Sequence, residues 1–245
     1  MPIRTVENQR LYRQIADQLT VLIESGEFAR GSRLPSERDL AVQLGVSRPS
    51  VREALIALEI EGKVEVRVGS GIFVAAPHPV PVVEDTEAPG PFEHLRARWL
   101  LEGEIAAEAA KNAEPDDLVP IRASIAEMHS LIRRNLDMDP VDREFHLCIA
   151  RATHNSALVP VVQELWDRGR GAIWKRMEHH FQTPELKMAA LRDHRVILDA
   201  MESADARGAR AAMRQHLDRV DREFSRGWDL LKKNESLTAT TRSRR

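Results

Sequence analysis

Between Leu34 and Gly62 the apolar residues return at the spacing of two short helices joined by a tight turn. Ser36 stands before the first helix with Asp39 three residues on, an N-cap followed by an acidic first turn, and Leu40, Ala41 and Leu44 mark the buried face. Gly45 ends that helix and Val46 plugs the space behind it. Ser47 then caps a second helix in which Val51, Leu55 and Leu58 recur at i, i+4 and i+7. Such a pair is a helix-turn-helix, whose second helix enters the DNA major groove and offers its N-terminal residues to base edges. Arg48 and Arg52 lie one turn apart on a different face from the apolar stripe. A guanidinium can donate two hydrogen bonds to guanine O6 and N7, so both are candidate readers, with Arg38 as a third. Exposed arginines also serve solubility alone; here Glu53, Glu59 and Glu61 lie toward the far end and leave the helix tip basic.

After Gly62 the period changes from helical to alternating. Residues 63–77, KVEVRVGSGIFVAAP, predict two strands around Gly69-Ser70-Gly71, a hairpin that forms a wing. Gly69 and Gly71 allow the backbone to approach a phosphate or the minor groove. Upstream, residues 10–25 predict an amphipathic helix with Leu11, Ile15, Leu19, Leu22 and Ile23 inside. Residues 77–91 carry five prolines and no period, a linker that is either semi-stiff and extended or a disordered tether. From 92 to 233 only helical period appears, in segments near 92–112, 115–134, 139–152, 156–179, 184–203 and 206–233. The expected architecture is therefore mainly α. It comprises a winged helix-turn-helix domain over 1–76, a linker over 77–91, an all-helical bundle over 92–233 and a disordered polar tail over 234–245.

Charge and composition alter this picture in two places. The net charge is −2, and residues 1–76 hold ten Lys or Arg against ten Asp or Glu, so DNA affinity has to come from local placement. The expectation is a basic patch of Arg33, Arg38, Arg48, Arg52 and Arg67 with the acids turned away. The single cysteine, Cys148, excludes an internal disulfide and an all-cysteine metal site, and its apolar helical setting predicts a packing residue. No signal peptide and no run long enough to span a bilayer is present, which predicts a cytoplasmic chain without membrane contact.

Polar residues interrupt the buried stripes of the helical part. Asp142 and His146 stand at i, i+4 beside Phe145 and Ile149; His194 interrupts Leu191, Leu198 and Met201; His216 interrupts Met213, Val220 and Phe224. One carboxylate and three imidazoles from three helices can meet at one divalent ion, although any one of these histidines can equally be a hydrogen-bonded core residue. Arg98 shares a stripe with Leu95, Ile105 and Ala109, where a buried guanidinium needs an anion. That anion is either Glu102, one turn on, or a captured ligand. Trp166 and Trp174 are sugar-facing platforms or core residues, and Asn155 is a ligand donor or a helix C-cap.

The first 75 or so residues, with LPSERDLAVQLGVSRPSVREALIALEIEG and the wing at their centre, resemble the GntR family of bacterial transcription regulators. The resemblance implies base contacts by Arg38, Arg48 and Arg52, a wing tip at Gly69, and a reading unit opened by Leu34-Pro35-Ser36-Glu37. Through RARWLLEGEIAAEAA, DREFHLCIARATHNSALVP and DHRVILDAMESADARGARAAMRQHL, the helical part is similar to the effector-binding domain of the FadR-type subgroup. Its metal-binding branch implies an ion held by Asp142, His146, His194 and His216; this donor set suits zinc or nickel and admits manganese or iron. The Arg-x-x-Leu-Glu sequence from Arg98 to Glu102 implies an arginine that pairs with the carboxylate of a small organic acid. ELWDRGRGAIWKRMEHH followed by DHRVIL is similar to regulators of hexuronate catabolism, which respond to galacturonate, glucuronate or derived ketoacids.

The expected protein is a homodimeric repressor that reads a double-stranded operator of two-fold symmetry and answers to such an acid. One alternative is a DNA-binding regulator with a purely structural metal and no effector. The other is a metalloenzyme, against which stand the absence of an HExxH, Walker or dinucleotide sequence and a four-residue shell that leaves little room for an activated water.

Overall fold

A computed structural model describes residues 10–67, 70–75 and 89–233, with side chains up to residue 225. In chain order the elements are α1 (Leu11–Glu24), α2 (Glu37–Leu44), α3 (Arg48–Ile60), β1 (Val64–Arg67), β2 (Gly71–Val74), α4 (Pro91–Asn112), α5 (Pro115–Arg133), α6 (Asp139–Arg151), α7 (Leu158–Gly169), α8 (Ala172–Phe181), α9 (Pro184–Glu202) and α10 (Ala206–Lys233). They form two compact units. One takes in the chain through Pro91 together with 171–180 and the residues from Ser225 on; the other takes in 92–170 and 181–224. Among the described residues no helix is long and apolar enough to cross a membrane.

In the first unit, the helix-turn-helix forms where the sequence places its caps. Ser36 adopts extended backbone and its Oγ accepts from Asp39 N at 3.3 Å, which fixes the start of α2. Gly45 closes α2 at φ +66°, a left-handed conformation that suits glycine. Ser47 Oγ accepts from Ser50 N at 3.3 Å and starts α3. Val51, Leu55 and Leu58 are fully buried, and α1 packs Tyr12, Ile15 and Leu19 into the same core.

The wing is an antiparallel pair in which Val64 faces Val74 and Val66 faces Ile72. Leu34 N donates to Ile72 O and Arg33 bridges to Phe73, so the wing is sewn to the entry of α2. Gly71 adopts φ +109°, a backbone conformation that favours glycine, and the Arg33 guanidinium packs close over it. Gly69, the expected wing tip, lies outside the described residues, as do most of the expected linker and the tail from 234 on.

Glu59 near the end of α3 ties three elements of this unit. Its Oε1 accepts from Val66 N at 3.3 Å, Arg176 of α8 grips both oxygens at 3.0 Å, and His180 Nε2 lies 2.7 Å from Oε2. Burial raises the Glu59 carboxyl, but His180 and Arg176 outweigh it and hold the group below its ordinary range.

The second unit is all helical, with α5 against α6 and α9, and α6 against α7. Ile121, Phe145, Val162, Leu191 and Ile197 are fully buried in its core. Cys148 packs there, its thiol pushed up to about 11 by burial and by the nearby Glu144 charge, so it stays protonated. The expected single helix over 156–179 is two, because the chain leaves helical geometry at Arg170 (φ −104°, ψ 42°) between Gly169 and Gly171. Gly169 has a packing reason as well: a Cβ there would press on the His94 ring at 3.2 Å.

Candidate functional site

The two candidate sites rest on different chemistry. On the reading helices, Glu37 at the start of α2 has a side chain only 1% exposed and is faced by two arginines of α3. Arg48 Nε donates to its Oε1 at 2.6 Å, while Arg52 Nη2 reaches Oε2 at 3.0 Å and Arg52 Nε reaches Oε2 at 3.2 Å. Arg38 is exposed on α2, and Arg48 keeps 42% of its side chain in solvent. Arg52 is buried at 1% exposure. The acids are therefore not turned away as expected. Glu37 holds Arg48 and Arg52, and Glu65 accepts from Arg67 at 2.8 Å, so the basic patch is partly neutralised in place. Ser36 spends its hydroxyl on Asp39, donating to Oδ2 at 2.6 Å, and so sets the helix start.

In the second unit, four helices each send buried polar side chains to one point. His146 of α6, His194 of α9 and His216 of α10 are buried, with ligand-capable nitrogens all within 4.8 Å of one another. His194 Nε2 lies 3.3 Å from His216 Nε2 and 3.3 Å from Asp142 Oδ1, and His146 Nε2 lies 3.8 Å from that same oxygen. Four donors about 2.1 Å from one ion at tetrahedral angles sit about 3.4 Å apart, so the spacing suits a divalent ion. Two further observations point the same way. Asp142 Oδ1 is buried and accepts no hydrogen bond, and His194 Nδ1 and His216 Nδ1 are buried without one.

The charge state suits ligation too. Burial would raise the Asp142 carboxyl, yet its charged surroundings, in which the Arg170 guanidinium is the permanent cation, hold it below its ordinary range. Burial lowers His146 and takes His194 well below its ordinary value, which keeps both imidazoles neutral with a lone pair to give.

Behind the donors stands a layer of acids. Glu102 of α4, 2% exposed, sets Oε2 against His146 Nδ1 while its Oε1 accepts from Arg98 Nε at 2.5 Å. Asp193 Oδ2 lies 3.8 Å from His216 Nδ1 and is itself held by Arg219 at 2.6 Å. Arg170 Nη2 donates to Asp142 Oδ2 at 3.2 Å, steadying the carboxylate on the side away from the histidines. Arg98, 5% exposed, also stacks on the Trp166 ring at 4.0 Å and brings Nη2 to 3.4 Å from His146 Nε2.

The structure thus gathers Asp142, His146, His194, His216 and Arg98, and it places Trp166 in the wall. Asn155 lies elsewhere: it is exposed in the α6–α7 turn, where its Oδ1 accepts from Ala157 N at 3.1 Å. Trp174 belongs to the first unit and does not join the cluster. Asp193 and Arg170 were not legible as site residues. Asp193 precedes a stripe histidine in sequence, a signal too weak to separate it from surface acids.

Comparison with known proteins matches two stretches of the chain. Residues 11–74 match the bacterial regulatory proteins of the gntR family, and residues 93–219 match the FCD domain. The chain is 39% identical to the Uxu operon transcriptional regulator of Escherichia coli K12, over 89% of each chain. It is also 39% identical to the Exu regulon transcriptional regulator of the same organism, over 86% of this chain and 83% of that one. Among solved structures, E. coli McbR/YncC shares the fold with a TM-score of 0.50 at 24% identity, over 89% of this chain and 99% of that one. The two curated relatives and the gntR family match are of transcription regulators and not enzymes, which removes the metalloenzyme alternative. The chain belongs to the GntR family of DNA-binding transcription regulators and carries the FCD type of helical domain.

Proposed function

We propose that this regulator is an acid-responsive, dimeric repressor whose helical unit holds a divalent ion and, beside it, a small organic acid. The observation that carries this reading is the convergence of three buried histidines on Asp142 Oδ1, an acceptor without a hydrogen bond, with a buried arginine 3.4 Å from one of those histidines. Asp142, His146, His194 and His216 would hold the ion, with zinc or nickel best suited to three nitrogens and one oxygen. The ion supplies a Lewis-acidic anchor for a carboxylate, and Arg98 supplies the forked hydrogen bonds that orient it. The resemblance to hexuronate-catabolism regulators, and relatives named for the Uxu operon and the Exu regulon, support a hexuronate or derived sugar acid as that ligand. Arg38, Arg48 and Arg52, with Gly69 in the wing, are the proposed DNA contacts. Arg48 and Arg52 would exchange Glu37 for base edges or phosphates on a two-fold symmetric operator.

A specific observation favours a second reading. Arg98 is already matched by Glu102 and stacked on Trp166, as a purely structural guanidinium would be. One experiment separates the two. Zinc-loaded protein is screened by thermal shift against sugar acids and simple carboxylates, and the best acid is then added to the protein on a duplex it has itself selected from random DNA. A uronate that raises the melting temperature and changes duplex affinity about tenfold, a coupling of ~1.4 kcal/mol, establishes the first reading. If zinc stabilises the protein while no acid does, the ion is structural.

A further inference from the structure

Glu102 has two carboxylate oxygens and two different clients. Oε1 accepts from Arg98 Nε at 2.5 Å and Oε2 faces His146 Nδ1, inside a pocket where Glu102 is 2% exposed and His146 1%. Arg98 touches His146 a second time, on the other ring nitrogen, through Nη2 at 3.4 Å. A guanidinium only donates and a carboxylate only accepts, so the neutral imidazole that suits both contacts carries its proton on Nδ1, facing Glu102, and its lone pair on Nε2. His146 is therefore held in the tautomer whose free lone pair points at the other imidazoles, and Arg98 covers that lone pair. His216 has its acid farther off, Asp193 Oδ2 at 3.8 Å from Nδ1, whereas Glu102 lies against His146. Among the three histidines, His146 is the one tied directly to the arginine proposed to take the acid.

We propose that Glu102 is a positioning residue that makes ion affinity answer to the state of Arg98. With Arg98 on its Oε1, Glu102 divides its charge between a guanidinium and the imidazole, and Arg98 competes for the lone pair that an ion needs. Drawing Arg98 away leaves the whole carboxylate to His146, makes Nε2 a stronger donor and uncovers it. Second-shell carboxylates of this kind commonly change metal affinity 10–100-fold. The inference rests on the reading of the histidine cluster as an ion site and adds to it a route by which the acid and the ion strengthen each other.

The test is a double-mutant cycle on zinc affinity, measured by competition with a chromophoric chelator, using the full chain without any acid: unsubstituted protein, Arg98→Gln, Glu102→Gln and both together. Glu102→Gln is expected to weaken zinc at least tenfold. Arg98→Gln is expected to tighten zinc severalfold when Glu102 is present and by a clearly smaller factor when it is Gln, where only the uncovering of Nε2 remains. If the two effects simply multiply, Glu102 is not the route and the inference falls while the ion site stands. If the unsubstituted protein takes up no zinc, the ion site itself falls and the inference with it. A measurement on the unsubstituted protein guards against variants that fail to fold: nitrogen-15 imidazole spectra of the zinc form should show His146 protonated at Nδ1. A proton at Nε2 overturns the proposal.

Discussion

Glu37 and Glu102 are both buried carboxylates, one at the base of the reading helices and one at the base of the histidine cluster, and each faces two basic side chains. Glu37 faces two arginines, whose charge is permanent and whose guanidinium groups only donate. That knot is a closed set of ion pairs that fixes α2 against α3. Glu102 faces one arginine and one imidazole, and the imidazole passes the interaction on, because a proton held at Nδ1 leaves a lone pair at Nε2. The lone pair then meets other lone pairs and an Asp142 oxygen that accepts no hydrogen bond. Equal burial thus gives a closed ion pair in one place and an arrangement that calls for a cation in the other.

Glu37→Ala should break the first knot with the largest effect. It removes the acceptor shared by Arg48 and Arg52, a loss of about 3 kcal/mol in urea unfolding, and a change below 1 kcal/mol would mean the knot is not holding the helices. The second knot should respond instead to its ion. Withdrawing zinc held at one hundred times its dissociation constant should cost about 2.7 kcal/mol, and His194→Ala should be insensitive to zinc in the same titration.

Glu59 extends the comparison, since it is a third buried acid and is held by one arginine and one imidazole. Its folded value lies below the ordinary 4.5, so its contribution is complete above about pH 4.5 and is lost as the pH falls through the folded value. The stability gap between the unsubstituted protein and Glu59→Gln should be about 2 kcal/mol at pH 7 and should close on acidification; a gap that widens in acid would contradict the assignment. Smallest of all, Ser47→Ala removes the acceptor for Ser50 N and the hydrogen bond with Ser50 Oγ and should cost about 1 kcal/mol, with zinc affinity unchanged.

What was legible in the sequence follows from range. Caps, the turn at Gly45 and the wing are set by residues a few positions apart, so Ser36, Ser47 and the alternation after Gly62 announced them. Asp142, His146, His194 and His216 were visible because each spoils an apolar stripe of its own helix. Glu37 under Arg48 and Arg52 was not, because the pairing runs between two helices and leaves no period in either. The link from Glu102 to His146 joins α4 to α6, and the intrahelical partner Arg98 was the only one that spacing could offer. The break at Arg170 was overlooked for a different reason: the apolar period runs on through Trp174 and Met177 while the backbone does not.

Trp166 is 1% exposed and carries the Arg98 guanidinium 4.0 Å and the Arg170 guanidinium 4.2 Å from its ring centre. An indole's emission energy depends on the electric field across its rings, and these two cations set that field. Arg98 is the proposed acid contact and Arg170 steadies Asp142, so arrival of either an acid or an ion would alter the field from a different side. Trp166 emission would then report the proposed acid and the proposed ion from two different sides.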